Sequence, residues 1–114
     1  MRLILHHKGL TQEHWNTLSL MEQLANVGCD VSRTIRWRNR NNVNYSTAGL
    51  ERALELLDLT IADPKHKGRR KELVRVREVL KDYFLGDNEY GSTDELWEKY
   101  FYAYNWAAAL EKGR

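Results

Sequence analysis

Apolar residues recur along this chain every three or four positions, which is the spacing of one face of an α-helix. No segment shows the strict alternation of a β-strand. The spacing predicts four helices, over residues 12–38, 46–62, 69–85 and 92–112. Short connections after the second and third helices favour antiparallel neighbours. We therefore expect an all-α fold, an antiparallel four-helix bundle of up-down-up-down topology with a long first helix.

Residues at the predicted helix ends support this division of the chain. Thr11 is a suitable N-cap for the first helix, and Ser92 with Glu95 three positions later has the pattern of a capping box for the fourth. Pro64 ends the second helix, because proline disfavours helical geometry in the residue before it. Gly86 is expected to end the third helix in the left-handed conformation.

Length and composition fit one domain rather than two. The chain has 114 residues, of which 42% are hydrophobic and 30% charged, enough for a single core. We expect residues 1–114 to form one helical domain, with residues 1–10 as an irregular N-terminal segment. The apolar run from Leu3 to Leu5 is too short for a signal peptide or a membrane span, and the lone Cys29 cannot form an internal disulfide. The expected compartment is the cytoplasm.

Charge is distributed unevenly, although the formal net charge is only +2. Residues 33–40 contain four arginines and no acidic residue, whereas residues 82–98 contain six acidic residues and neither lysine nor arginine. In an antiparallel bundle the end of the first helix lies beside the start of the fourth. We therefore predict that these two segments compensate each other at one end of the molecule.

The strongest candidate binding site is a basic run around the start of the third helix. Cations at this position oppose the helix dipole, which favours acidic residues there. Together with free backbone N–H groups they could hold phosphate or another anion. The alternative is a solvated basic loop without a function. The predicted anion or nucleic-acid site comprises Lys65, Lys67, Arg69, Arg70 and Lys71.

A second, basic and aromatic cluster lies near the end of the first helix, away from its apolar stripe. It comprises Arg33, Arg36, Trp37 and Arg40. Such a cluster could stack bases and neutralise phosphates. Compensation by the acidic segment 82–98, together with the helix dipole, is the simpler interpretation and the one we favour.

Several apolar residues fall outside the predicted core and indicate self-association. Tyr102 and Trp106 point away from the apolar face of the fourth helix, one turn apart, and Leu56 and Leu59 lie on the outer side of the second. Tyrosine and tryptophan are favoured at interfaces because they bury a large apolar area at low entropic cost. We predict an oligomer interface formed by these four residues. The alternative is that they are ordinary exposed apolar residues.

The patterns typical of enzymes and metal sites are missing from the sequence. The histidines do not occur in pairs at one-turn spacing on a core-facing helix, and Cys29 is more typical of a packing residue than of a nucleophile. The pairs Glu55/Asp58 and Glu95/Glu98 have the spacing with which all-α nucleotide pyrophosphohydrolases hold magnesium, but solvated acids are the commoner case. We predict no catalytic residue, no metal and no cofactor.

One part of the chain resembles known proteins. The relevant stretches are ERALELLDLTI at 51–61, DPK at 63–65, REVL at 77–80 and GDNEY at 86–90. Together they resemble a family of small uncharacterised bacterial proteins. The resemblance implies a helical protein of unknown role and identifies no activity, ligand or functional residue.

Three functions are compatible with the sequence. The first is a non-enzymatic, homo-oligomeric helical module that binds an anionic partner, RNA or DNA above all, through the basic run. The second is an adaptor whose helix faces dock another protein. The third is a metal-dependent nucleotide hydrolase, which the lack of converging acidic residues disfavours. No membrane contact is expected.

Overall fold

The computed structural model describes residues 9–113, and every regular element in this range is a helix. The elements are α1 (Gln12–Trp15), α2 (Leu20–Asn39), α3 (Val43–Ala62), a 3-10 helix (Pro64–Arg69), α4 (Arg70–Leu85) and α5 (Asp94–Lys112). The predicted all-α class is confirmed. Most of the expected irregular segment 1–10 lies outside the described residues.

The predicted long first helix is wrong, because a helix cap divides it at Ser19. The Ser19 hydroxyl accepts a hydrogen bond from the backbone N–H of Glu22 (3.2 Å), and the Glu22 carboxylate accepts one from the N–H of Ser19 (3.1 Å). This reciprocal capping box starts α2. The preceding α1 is a single turn that Thr11 caps, as predicted.

Two other predicted helix ends are wrong in detail. Thr93 rather than Ser92 caps α5, since its hydroxyl accepts a hydrogen bond from the N–H of Leu96 (3.1 Å). Gly86 ends α4 in an extended conformation, with φ −106° and ψ −154°. The left-handed conformation occurs instead at Asn88, with φ 54°, and at Gly91, with φ 67°. The chain thus turns towards α5 after Gly86 rather than at it.

Neighbouring helices run in opposite directions. α2 packs against α3 and α5, and α3 packs against α4, the 3-10 helix and α1. Ser19 before α2 donates a hydrogen bond to Glu111 near the end of α5 (2.7 Å), and Arg38 at the end of α2 bonds to Asp94 at the start of α5 (2.5 Å). Since α4 and α5 pack mainly on α3 and α2 rather than on each other, the four-helix bundle stays a prediction.

The position of α3 at the centre of the core corrects part of the predicted oligomer interface. Leu56 and Leu59 are only 3% and 2% exposed and belong to the main apolar cluster. α2 covers α3 on one side, and α1, α4 and the 3-10 helix cover other sides. The prediction that these two leucines form a partner surface is therefore wrong. Glu55, which the pattern places in solvent, is also buried.

Candidate functional site

A buried polar cluster holds the 3-10 helix that carries the basic run. Gln23 of α2 is fully buried, and its Nε2 donates to Asp63 Oδ2 and to the carbonyl of Trp15, both at 2.9 Å. His66 Nε2 lies 2.6 Å from Gln23 Oε1, and because an amide oxygen only accepts, the imidazole is the donor. The helical periodicity of the sequence does not predict this cluster. The one indication of it in the sequence is Gln23, a polar residue on the apolar face of α2, one turn before Val27.

Burial and hydrogen bonding set the protonation states in this cluster. Burial lowers the pKa of His66 below its usual value, and attraction to Asp63 opposes part of this effect. Burial alone would raise the pKa of Asp63, but hydrogen bonds from Lys65 and Gln23 outweigh it and lower that pKa. At neutral pH the cluster therefore contains a neutral His66 and an ionised Asp63.

Lys65 belongs to this cluster rather than to an open binding site. Its ammonium group pairs with the Asp63 carboxylate and donates to the carbonyl of Asn16 (2.7 Å). Asp63 Oδ1 also accepts a hydrogen bond from the backbone N–H of Lys65 (3.1 Å) and so caps the 3-10 helix. Asp63 thus caps the 3-10 helix, whereas Arg69, the N-cap residue of α4, makes no side-chain capping hydrogen bond. The anion site at the start of this helix stays a prediction.

The remaining four cations of the run are exposed, and we refer to them as the basic patch. They are Lys67, Arg69, Arg70 and Lys71. The Nε of Arg70 donates to the carbonyl of Ile61 (3.3 Å). None of the four forms an ion pair with an acidic residue in the described range 9–113. The patch therefore presents positive charge that the described part of the chain does not neutralise by direct pairing.

The second predicted cluster is partly engaged within the chain. Arg33 pairs with Asp30 at 2.9 Å. The guanidinium of Arg40 lies over the Trp37 ring, 5.7 Å from its centre. Arg36 is exposed beside a groove between α2 and α5. Of the three arginines, Arg36 is thus the one that most clearly remains available to a partner.

Arg38, which the predicted cluster omits, connects α2 to the acidic segment. It pairs with Asp94 (2.5 Å) and lies over the Tyr83 ring, 5.3 Å from its centre. Tyr83 donates its hydroxyl proton to the same carboxylate. Burial alone would raise the pKa of Asp94, but the hydrogen bonds from Tyr83 and Arg38 lower it. The predicted meeting of segments 33–40 and 82–98 is confirmed.

The outer face of α5 presents aromatic residues to solvent. Tyr102 and Trp106 are 66% and 59% exposed, and Leu110, one turn further along, is 49% exposed. Their orientation away from the core agrees with the sequence pattern. Their participation in an interface stays a prediction.

Metal ligands and nucleophiles are dispersed in the described part of the chain. Among residues 9–113, no three His, Cys, Asp or Glu side chains lie close enough together to hold a metal ion. Cys29, expected as a packing residue, is exposed beside the groove between α2 and α5. Glu98 accepts a hydrogen bond from the Ser32 hydroxyl (2.8 Å). No helix in this range is long and apolar enough to cross a membrane.

The chain matches no protein-family model, no curated protein and no solved structure. The resemblance of residues 51–90 to small bacterial proteins stays a prediction. Function has to be inferred from the charge, exposure and contacts of the described residues.

Proposed function

We propose that this protein is a non-enzymatic helical module that binds a polyanion, RNA or DNA, through the basic patch. The observation that carries the proposal is the exposure of four cations within five positions, none of which has an ion-pair partner among residues 9–113. Unpaired surface lysines and arginines are the groups that neutralise phosphates in nucleic-acid complexes.

The base of the patch supports this proposal. Gln23, Asp63 and His66 tie the 3-10 helix to α2 through buried hydrogen bonds. A patch held in this way loses less conformational entropy on binding than cations on a loose loop. Contacts from such a patch to phosphates do not depend on the identity of the bases. We therefore expect binding with little sequence preference.

The proposal includes an up-down-up-down four-helix arrangement, a homo-oligomer and a cytoplasmic location. Three side-chain pairs support the arrangement, because each joins helices that run in opposite directions: Ser19 with Glu111, Arg38 with Asp94, and Asp58 with Arg77. The exposed aromatic residues of α5 support the homo-oligomer. RNA and DNA are accessible to such a protein in the cytoplasm.

Binding to a labelled single-stranded oligonucleotide, measured by fluorescence anisotropy over a series of salt concentrations, tests the role of the patch. The Lys67→Gln, Arg69→Gln, Lys71→Gln variant should bind at least about tenfold more weakly at low salt, and the slope of log affinity against log salt should fall by roughly two. The loss should be similar for different sequences.

A matched control removes the same charge elsewhere. Lys81, Lys99 and Lys112 are exposed lysines outside the patch, and their joint change to Gln should reduce affinity far less. Equal losses in the two triple variants would show a general effect of net charge. Undetectable binding of the wild type at low salt would contradict the proposed function altogether.

A further inference from the structure

The second half of α5 is apolar on faces that the described chain leaves uncovered. Between Lys99 and Glu111 this helix carries no charged residue. Phe101 and Ala108 are buried, whereas Tyr102, Trp106 and Leu110 remain exposed. A helix that is apolar around its whole circumference is normally covered on all sides. Within residues 9–113 the outer face of α5 therefore has no cover, although its composition calls for one.

We propose that a second copy of the chain supplies this cover, by packing its own α5 antiparallel against the same face. The inference rests on the homo-oligomeric part of the proposed function and specifies its geometry. Lys99, Ala103, Trp106 and Leu110 follow one another at spacings of four, three and four residues, which is the spacing of a helix–helix seam. In the antiparallel register, Ala103 lies opposite the partner's Trp106, so that a small residue faces a large one at both symmetric positions.

The position of Lys99 favours the antiparallel direction. With Ala103 opposite the partner's Trp106, Lys99 lies opposite the partner's Leu110, where its methylene stem can pack and its ammonium group can reach solvent. Parallel pairing would instead bring Lys99 beside its own copy and place two like charges together.

The area available is adequate for a dimer. Buried tyrosine and tryptophan side chains each remove about 150–250 Å² from solvent. At their present exposure Tyr102 and Trp106, together with Leu110, would supply roughly half of the ~800 Å² that one partner contributes to an interface of standard size. The exposed Ala103 and Ala109 and the stem of Lys99 extend the same face.

This geometry also determines how the two basic patches are placed. The end of α5 lies beside the start of α2 through Glu111 and Ser19, and Lys65 contacts Asn16 at that same end of the molecule. Antiparallel pairing therefore sets the two patches at opposite ends of the α5 pair, on the order of 20–30 Å apart. An anion long enough to span this distance would bind both patches and gain avidity.

Sedimentation equilibrium at micromolar concentrations tests the interface. The wild type should sediment as a dimer, and the Tyr102→Ala, Trp106→Ala variant as a monomer with unchanged helical content. The matched control, Tyr45→Ala with Tyr90→Ala, removes two exposed aromatic residues elsewhere and should remain a dimer. A monomeric wild type, or a dimer that survives loss of Tyr102 and Trp106, overturns the proposal.

Disulfide cross-linking tests the direction of pairing. In a Cys29→Ser background, the Lys99→Cys, Leu110→Cys variant should form a cross-linked dimer under mild oxidation, because antiparallel pairing places position 99 opposite position 110 of the partner. Either single cysteine should cross-link poorly, because the two copies of position 99, or of position 110, lie roughly 16 Å apart along the helix pair. Efficient cross-linking of both single variants would indicate a parallel dimer and overturn the antiparallel geometry.

Two further measurements separate this inference from its alternatives. Binding of a monomeric wild type to vesicles with anionic lipids, if it is lost in the Tyr102→Ala, Trp106→Ala variant and kept in the patch variant, would identify the α5 face as a membrane-contact surface and overturn the dimer. The proposed function is judged independently with an oligonucleotide too short to span both patches. The Tyr102→Ala, Trp106→Ala variant should bind it with wild-type affinity, and the patch variant should lose affinity while remaining a dimer.

Discussion

Gly28 shows how a single missing side chain sets the distance between two helices. A Cβ atom added at Gly28 would lie 2.6 Å from Cβ of Phe101 on α5. This is closer than two carbon atoms can approach without displacement of one of them. The close packing of α2 on α5, and with it the position of the outer face of α5, therefore depends on glycine at this position.

Replacement of Gly28 by Ala should consequently destabilise the protein. We expect a loss of about 1–3 kcal/mol in the free energy of unfolding from overpacking, less the ~1 kcal/mol that alanine contributes to helix stability relative to glycine. Urea unfolding followed by circular dichroism measures the net effect. Gly68→Ala is the control, because no atom lies within 4 Å of the added Cβ there, and it should change stability by less than ~0.5 kcal/mol. Equal effects of the two changes would refute this explanation.

Two predictions about individual residues failed for the same physical reason. Lys65 counts as a free cation in the sequence, yet the carboxylate of Asp63 and the carbonyl of Asn16 satisfy it in the fold. Leu59 lies on the outer side of α3 when that helix is considered alone, yet neighbouring elements cover it. The periodicity of apolar residues describes one helix at a time. It does not show which other elements contact that helix, and so it does not show which of its side chains they cover or bind.

At the scale of the helices, the cap at Ser19 is the clearest case for a test. Ser19→Ala removes the acceptor for the N–H of Glu22 and the hydroxyl that bonds to Glu111, and should cost about 1 kcal/mol. Ser19→Thr keeps a hydroxyl that can accept from Glu22 and donate to Glu111, and should cost distinctly less. Chemical denaturation of the two variants measures the difference. Equal losses would mean that the cap does not determine the start of α2.

The helix boundaries also show where sequence reasoning reached its limit. The pattern of Ser19 followed by Glu22 was present in the sequence, but the continuous stripe from Leu20 to Ile35 and the Thr11 cap upstream favoured one long helix. At the start of α5, Ser92 and Thr93 are adjacent hydroxyl residues that both suit a cap. In the fold the Asn88 side chain bonds both the backbone N–H and the carbonyl of Ser92, and Thr93 makes the cap.

For the molecule as a whole, the buried His66 should make stability depend on pH. The unfolded chain protonates histidine near pH 6.5, whereas burial lowers the pKa of His66 in the fold. Just below pH 6.5 the unfolded chain therefore binds more protons than the folded one, so stability should fall as the pH decreases from about 7 towards 5. His66→Gln should flatten this dependence, as measured by urea unfolding at several pH values. His14→Gln, at an exposed position, is the control, and an unchanged slope in His66→Gln would contradict the assignment.

The distribution of charge over the molecule was predicted at one end and only partly at the other. Segments 33–40 and 82–98 meet as expected, because antiparallel helices bring them together, although the residue that makes the contact is Arg38. At the opposite end the buried partners of the 3-10 helix were not foreseen. Gln23 and His66 are separated by 43 positions, and no local pattern connects residues so far apart.

The arrangement of α5 beside α2 also bears on the order in which the chain assembles. α2 and α3 are joined by the short turn at residues 40–42 and can pair through local contacts. Arg38 and Asp94 are 56 positions apart, and Ser19 and Glu111 are 92 positions apart. Closing the longer loops costs roughly 2 kcal/mol more in chain entropy than closing a short turn, and nonlocal contacts slow folding. We therefore expect the α2–α3 hairpin to form first and α5 to join α2 later, on a surface that the hairpin has already formed.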